Sequence, residues 1–265
     1  MKQSGMNLSE MELSEMALSE MKKNLNASVH DSLLSAFDSI RIVSLTERTD
    51  RRKEIMQEFS TFGMIPGQGV TTFFDAIRPA DAGGFPSIGA RGCYLSHLQV
   101  LRQARDQGVA RLLVLEDDAM FLPELRQASR RVEFCQTERW DFLYPGHYLP
   151  AESGPLRWIQ TDANILCTHA YALHHRAIPA LIGFLEECLA RPPGDPAGGP
   201  MHLDAAYSTF RLTHPTCLTF RASHSLILQR SSSSDVSGPS RAQGLIPPVV
   251  LKYCRQFKNW FRRYR

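Results

Sequence analysis

Residues 111–118 read Arg-Leu-Leu-Val-Leu-Glu-Asp-Asp, four apolar residues running straight into three acids. The apolar run demands burial on both faces, which a central parallel strand receives. Side chains just past the carboxyl end of such a strand fall where open α/β sheets bind ligands. Clustered carboxylates repel one another unless a cation or donor groups compensate. A hard divalent ion such as Mn²⁺ or Mg²⁺ takes oxygen ligands, keeping one or two protein carboxylates and filling the rest with water and phosphate oxygens. The plainer reading of Glu116-Asp117-Asp118 is a solvated acidic turn or a helix cap. The fully apolar strand before it and the helix expected from Pro123 favour a site.

Working outward, strands are expected over 39–45, 70–74, 140–144, 165–173, 217–220 and 225–228. Helices are expected over 50–62, 90–107, 123–131, 177–189 and 202–210, with Thr49 capping the first and Gly63 and Gly108 ending the first two. Strands alternating with helices imply an α/β fold with a mostly parallel central sheet flanked by helices. There is no GxxxxGK, no GxGxxG after the first strand and no GxSxG, so the usual ATPase, dinucleotide and hydrolase readings lack support.

The 265 residues suit one large domain. No apolar run approaches the ~20 residues of a membrane-spanning helix. Residues 1–24 lack the apolar core of a secretory signal, which predicts a cytoplasmic protein. Six cysteines without a CxxC pair exclude the common zinc-finger spacings and point to reduced thiols. Residues 6–21 repeat a five-residue unit three times; each repeat turns a helix by about 140°, so Leu8, Leu13 and Leu18 never share a face. Residues 1–36 are therefore expected to be a low-complexity, flexible extension, with the domain at 37–236 and a linker at 237–248.

The net charge is +3, yet residues 249–265 carry Lys252, Arg255, Lys258, Arg262, Arg263 and Arg265 with no acid. Removing those six leaves −3, so the body is not a general nucleic-acid binder. In the tail, Val250, Tyr253, Phe257, Trp260 or Phe261, and Tyr264 recur three or four residues apart. A basic helix with aromatics on one face suits an anionic membrane interface, here the inner face of a membrane. The other reading is a packing helix with a solvated basic side.

Arg48, Arg51 and Arg52 surround Asp50 after the first strand, where arginines can hold a diphosphate or simply pair with the acid. Ser96 and His97 lie in the helix preceding the acidic strand. His202 and Asp204 follow the glycine-rich loop 192–200 and offer a base or a helix cap.

Together these segments resemble glycosyltransferase family 25, the lipooligosaccharide and collagen-type galactosyltransferase group. Arg48-Thr-Asp-Arg-Arg52 looks like that family's opening motif, and Gly89-Ala-Arg-Gly-Cys-Tyr-Leu-Ser-His97 is similar to its Gly-Cys-x-x-Ser-His signature. Leu115-Glu-Asp-Asp118 matches its acidic motif. Thr168-His-Ala-Tyr171, His202-Leu-Asp204 and Gln229-Arg-Ser-Ser-Ser-Ser-Asp235 resemble its later blocks. Ala90 stands where the commoner signature carries Glu, which bears on donor or acceptor preference. The resemblance implies a GT-A-like fold, a nucleotide-sugar donor with UDP-galactose the commonest, a divalent metal, inversion at the anomeric carbon and a glycan or glycolipid acceptor of the LPS type.

On that reading a metal held by Asp118 stabilises the departing nucleoside diphosphate. An extended chain would turn alternate side chains apart, placing Asp118 at the metal and Asp117 towards the ribose or donor sugar. Asp204 is the expected base for the acceptor hydroxyl. A later histidine, His224, would complete the metal shell. Ser96, His97, Glu116, His202 and the residues Arg48, Asp50, Arg51 and Arg52 are expected around the donor. Two other classes use the same carboxylates: a metal-dependent phosphate-ester enzyme with water as nucleophile, and a non-catalytic nucleotide-sugar-binding module.

Overall fold

The computed structural model describes residues 32–126 and 129–230. The repeats of 6–21, the linker 237–248 and the basic tail 249–265 lie outside the described residues. In chain order the strands are β1 (Ser39–Ser44), β2 (Thr71–Asp75), β3 (Arg111–Glu116), β4 (Ala119–Phe121), β5 (Phe142–Tyr144), β6 (Trp158–Gln160), β7 (Ala170–His174), β8 (Thr219–Ala222) and β9 (Ile227–Gln229). The helices are α1 (Thr49–Ser60), α2 (Ile88–Asp106), α3 (Ser129–Thr137), α4 (Ile178–Ala190) and α5 (Leu203–Thr213).

Seven strands form the main sheet in the order β2-β1-β3-β7-β5-β8-β6, and β4 pairs with β9 apart from it. β1 runs parallel to β2 and β3, while β7 is antiparallel to both β3 and β5. β8 is parallel to β5 and β6 antiparallel to β8. Five of the seven strands thus point one way, with β7 and β6 reversed. The expected mixed α/β fold with a mostly parallel sheet is what the chain adopts.

β3 shows why the sheet is buried on both faces. Leu112 and Val114 enter a core with Tyr94, Leu98 and Leu101 of α2, Leu181 and Leu185 of α4 and Phe210 of α5. Leu113 and Leu115 enter a second core on the opposite face with Ile55 and Phe59 of α1, Phe121 and Trp140. Alternate side chains of one strand therefore serve two layers.

Several boundaries differ from expectation for identifiable reasons. Leu33–Ala36 forms a 3₁₀ turn whose leucines are buried in the second core, with Ser32 Oγ accepting from the Leu34 N–H at 3.2 Å. The core thus reaches back before the extension's expected end at residue 36. Thr49 lies inside α1 rather than capping it, and the N-cap Arg48 makes no side-chain capping bond. The helix expected from Pro123 is only a 3₁₀ turn, Pro123–Leu125, followed by the separate helix α3. β4 precedes it because the apolar run Ala119–Phe121 finds β9 as a partner. The strand expected over 165–173 begins at Ala170, since Leu166, Cys167 and Thr168 instead line a cavity. Among the described residues, Cys93, Cys135, Cys167, Cys188 and Cys217 are free thiols.

Leu113 is fully buried at the centre of this arrangement. Leu113→Ala is expected to lower the unfolding free energy by about 2–5 kcal/mol in denaturant titrations; a loss below about 1 kcal/mol would contradict the two-faced burial of β3.

Candidate active site

The parallel register of β1 and β3 sets Val43 opposite Glu116, so the two strands end side by side. Ser44 Oγ consequently reaches Asp117 and donates to its Oδ2 at 2.7 Å. The backbone turns at Asp117-Asp118 instead of continuing extended, because the chain must reverse into β4. This corrects the expected alternation: the two aspartates face a common cation, the Arg51 guanidinium, at 3.0 Å for Asp117 and 3.8 Å for Asp118. Arg51 comes from the first turn of α1, which starts just beyond the end of β1.

The β4–β9 pair carries Gln229 to the same turn. Ala119 lies opposite Gln229, whose Nε2 donates to Asp118 Oδ2 at 3.2 Å. The Arg230 N–H donates to the Asp118 carbonyl at 2.7 Å, and Arg230 itself pairs with Glu58 at 2.8 Å. Asp118 Oδ1 is buried with no hydrogen-bond partner. A buried acceptor left in this state stands ready for a cation. Asp118, with Asp117 adjoining, therefore fits a hard divalent ion by donor chemistry and by vacancy of a coordinating oxygen.

β7 reaches the site from the other direction. Its antiparallel register places Ala170 opposite Leu115, so Thr168 and His169 adjoin Glu116. The Glu116 N–H donates to the His169 carbonyl at 3.0 Å, and Thr168 Oγ1 donates to Glu116 Oε1 at 2.6 Å. Burial pushes the Glu116 carboxyl up to about 8, and Asp118 beside it adds to the rise. Burial also pushes Asp118 up to about 6 against the pull of Arg51.

A cavity of about 1070 Å³ opens at these strand ends. Its walls bring together Arg48, Arg51, Ser96, His97, Glu116, Asp117, Asp118, His202 and Asp204 from distant parts of the sequence. Asp204 sits in the first turn of α5, where its Oδ1 accepts from the Ala205 N–H at 2.8 Å. Ser96 Oγ donates to the Gly92 carbonyl at 2.6 Å and accepts from the Ile77 N–H at 2.8 Å. Its hydroxyl is thus committed to holding the wall segment 76–80 against α2. Gly92 permits that approach, since a Cβ there would meet the Ile77 carbonyl oxygen at 2.7 Å.

Three expected site residues are not brought to the cavity. Asp50 is exposed and pairs with Arg48 at 3.1 Å. Arg52 points between Ser44 and Asp75, donating to the Ser44 carbonyl at 3.1 Å and pairing with the Asp75 carboxylate. It spans the ends of β1 and β2 instead of facing a ligand. His224 follows β8, sets its Nδ1 3.0 Å from Ser223 Oγ and does not line the cavity.

Other cavity residues went unselected in the sequence: Ser44, Arg78, Cys93, Cys167, Thr168 and Gln229. Cys93 carried a usable signal, because it lies four positions before His97, on the same helix face. Ser44 carried none, since its place depends on a strand pairing distant in sequence, and Gln229 entered only as the first residue of the block Gln229–Asp235.

The site thus belongs to the α/β class that places ligands at the carboxyl ends of its strands, here lined with acids and arginines. Residues 85–191 match the model of "Glycosyltransferase family 25 (LPS biosynthesis protein)". That span includes the Gly89–His97 signature and the acidic motif. The "Inactive glycosyltransferase 25 family member 3" of Homo sapiens is 30% identical over 129 residues, covering 42% of this chain and 22% of its own length. Its Mus musculus counterpart of the same name is 26% identical over the same extent. The aligned part of this chain spans about a fifth of the length of these curated relatives. A solved glycosyltransferase involved in the glycosylation of the major capsid of PBCV-1 shows 12% identity and a TM-score of 0.36, over 77% of this chain and 95% of its own. Among the described residues no helix is long and apolar enough to cross a membrane.

Glu116 and Asp118 each hold a proton more tightly in the folded, metal-free chain than in the unfolded one, while His97, His169 and His174, whose proton affinities are lowered, act in the opposite sense below about pH 6.5. The Glu116 contribution to stability is therefore expected to fall as pH rises between about pH 4 and about pH 8, by at most about 1.4 kcal/mol per pH unit. Urea unfolding of the native chain and of Glu116→Gln at about pH 5.5 and about pH 7.5, with chelator present, isolates that contribution: stability should change more favourably with rising pH in the variant. An equal or less favourable change in the variant would contradict the carboxyl environment described.

Proposed function

We propose that this chain is a metal-dependent inverting glycosyltransferase. It moves a sugar, with galactose the first expectation, from a UDP-sugar to a glycan or glycolipid acceptor in LPS-type glycan biosynthesis. The observation that carries this reading is the unpartnered Oδ1 of buried Asp118, beside Arg51, in a cavity that also contains Asp204. The match of residues 85–191 to the family 25 model supports the same reading.

Asp118 and Asp117 would hold the divalent ion, Mn²⁺ or Mg²⁺, which when bound neutralises charge on the departing diphosphate. Arg51 and Arg48 line the same wall and supply donors suited to phosphate oxygens. In the transfer the acceptor oxygen bonds to the anomeric carbon and the carbon–oxygen bond to the diphosphate breaks. Asp204 takes the hydroxyl proton. Ser96 keeps the wall segment 76–80 in position.

A second reading, a nucleotide-sugar-binding module without turnover, is favoured by the word "inactive" in the names of the human and mouse relatives. UDP release from a panel of UDP-sugars with Mn²⁺ and a lipid-linked or free glycan separates the two. Metal-dependent release is expected, with Asp118→Asn losing both donor binding and turnover. Asp204→Asn is expected to lose turnover by about 10²–10⁴-fold while donor binding survives. Binding without turnover in the native chain selects the second reading, and undiminished donor binding in Asp118→Asn contradicts both.

The charge of 249–265 supports a further part of the proposal, contact with an anionic membrane surface that presents a glycolipid acceptor. Deleting 249–265 is expected to release the chain from vesicles containing anionic lipid while activity on a soluble acceptor persists. Equal vesicle binding after deletion would contradict the contact.

A further inference from the structure

We propose that the cavity contains a second cation site, built for a softer divalent ion of the Zn²⁺ type from Cys93, His97 and Glu116. It is separate from the all-oxygen Asp117–Asp118 pair, and it stands whether or not the chain transfers sugar. One ligand atom from each of the three residues lies within 4.8 Å of the other two. Cys93 and His97 are one turn apart on α2, and Glu116 ends β3 facing them.

Two independent features point to a ligand at this place. His97 Nε2 is fully buried, has no hydrogen-bond partner and lies 3.8 Å from Glu116 Oε1. A contact of that length is too long for a hydrogen bond and leaves the nitrogen unsatisfied. The remaining atoms of the set are already oriented as ligands are. His97 Nδ1 lies 2.8 Å from Tyr171 Oη, which lies 2.8 Å from Tyr207 Oη, and Thr168 fixes the Glu116 carboxylate. Metal-bound histidines characteristically use their second nitrogen in such a bond, which fixes tautomer and ring direction. Here Nδ1 faces Tyr171 and Nε2 lies on the side of Glu116.

Ligand softness separates the two sites. Thiolate, imidazole and carboxylate together suit Zn²⁺, whereas carboxylates alone suit Mg²⁺ or Mn²⁺. Burial holds the His97 ring neutral, with its proton affinity lowered to about 3, which leaves one ring nitrogen with a lone pair. Three protein ligands in a tetrahedral shell leave the fourth position to the cavity, the pattern of exchangeable zinc sites. An ion there would tie the middle of α2 to the end of β3 and lie beside the Asp118 carboxylate.

The test uses the full chain, reduced and freed of metal with chelator. Zn²⁺ is titrated against a chromophoric chelator, and Co²⁺ is added separately to read the thiolate-to-cobalt band in the near ultraviolet. One tight equivalent of Zn²⁺ and a thiolate band are expected. Cys93→Ser should remove the band and weaken Zn²⁺ binding at least about 100-fold, and Tyr171→Phe should weaken it about 10–100-fold. Cys167→Ser, a nearby thiol outside the set, should retain both signals, and Asp118→Asn should retain the band. The far-ultraviolet circular dichroism of each metal-free variant is compared with that of the native chain. Absence of a tight equivalent in the native chain, cobalt bound without a thiolate band, or a band that survives Cys93→Ser overturns the proposal. Failure of Mn²⁺-dependent donor binding, with these signals intact, would remove the proposed transferase function and leave this site standing.

Discussion

The Arg51 guanidinium between two buried aspartates is the contact on which the site depends. Asp117 and Asp118 are both buried, and neither could stay ionised there without a compensating cation and hydrogen-bond donors. Arg51 supplies the charge from α1, Ser44 the hydroxyl from β1, and Gln229 the amide from β9. Each of these elements is placed by the packing of β3. Removing that arginine would leave two uncompensated carboxylates, a loss of about 3–5 kcal/mol by comparison with other broken buried pairs. The same argument shows how the site can take a metal: Asp118 is only partly satisfied, with one oxygen still unpartnered.

A reversed β7 inside a mostly parallel sheet has a direct consequence for chemistry. If β7 ran with its neighbours, its carboxyl end would meet the end of β3. Running against them, it presents Thr168 and His169, the residues before its first position, to Glu116. The short β4–β9 pair acts similarly by returning Gln229 and Arg230 to Asp118 from more than a hundred residues away. The cavity is therefore lined from seven separate stretches of chain, and Glu116, Asp117 and Asp118 are held by partners distant in sequence.

This explains what was legible in the sequence and what was not. The apolar run 112–115 announced a strand buried on both sides, and the acids after it announced a ligand-facing end; both are local patterns. The order of the motifs announced the likeness to family 25 that residues 85–191 show. Local patterns did not carry pairing partners. The alternation expected of Asp117 and Asp118 required an extended backbone, whereas a turn into β4 puts both on Arg51. Arg52 and Asp50 adjoin Arg51 in sequence, yet helix geometry turns them to the strand ends and to solvent. His224 was selected by analogy alone, and its imidazole instead bonds to Ser223. Leu33 and Leu34 follow a polar repeat, so their membership of the core depended on the groove beside α3.

The most direct test of the account is a crystal structure of the full chain with UDP and Mn²⁺. Anomalous density for manganese should lie against Asp118 Oδ1, with the diphosphate between the ion and Arg51 and the acceptor side of the cavity bounded by Asp204. Manganese and diphosphate found together at another surface, with Asp118 still facing only Arg51 and Gln229, would contradict it.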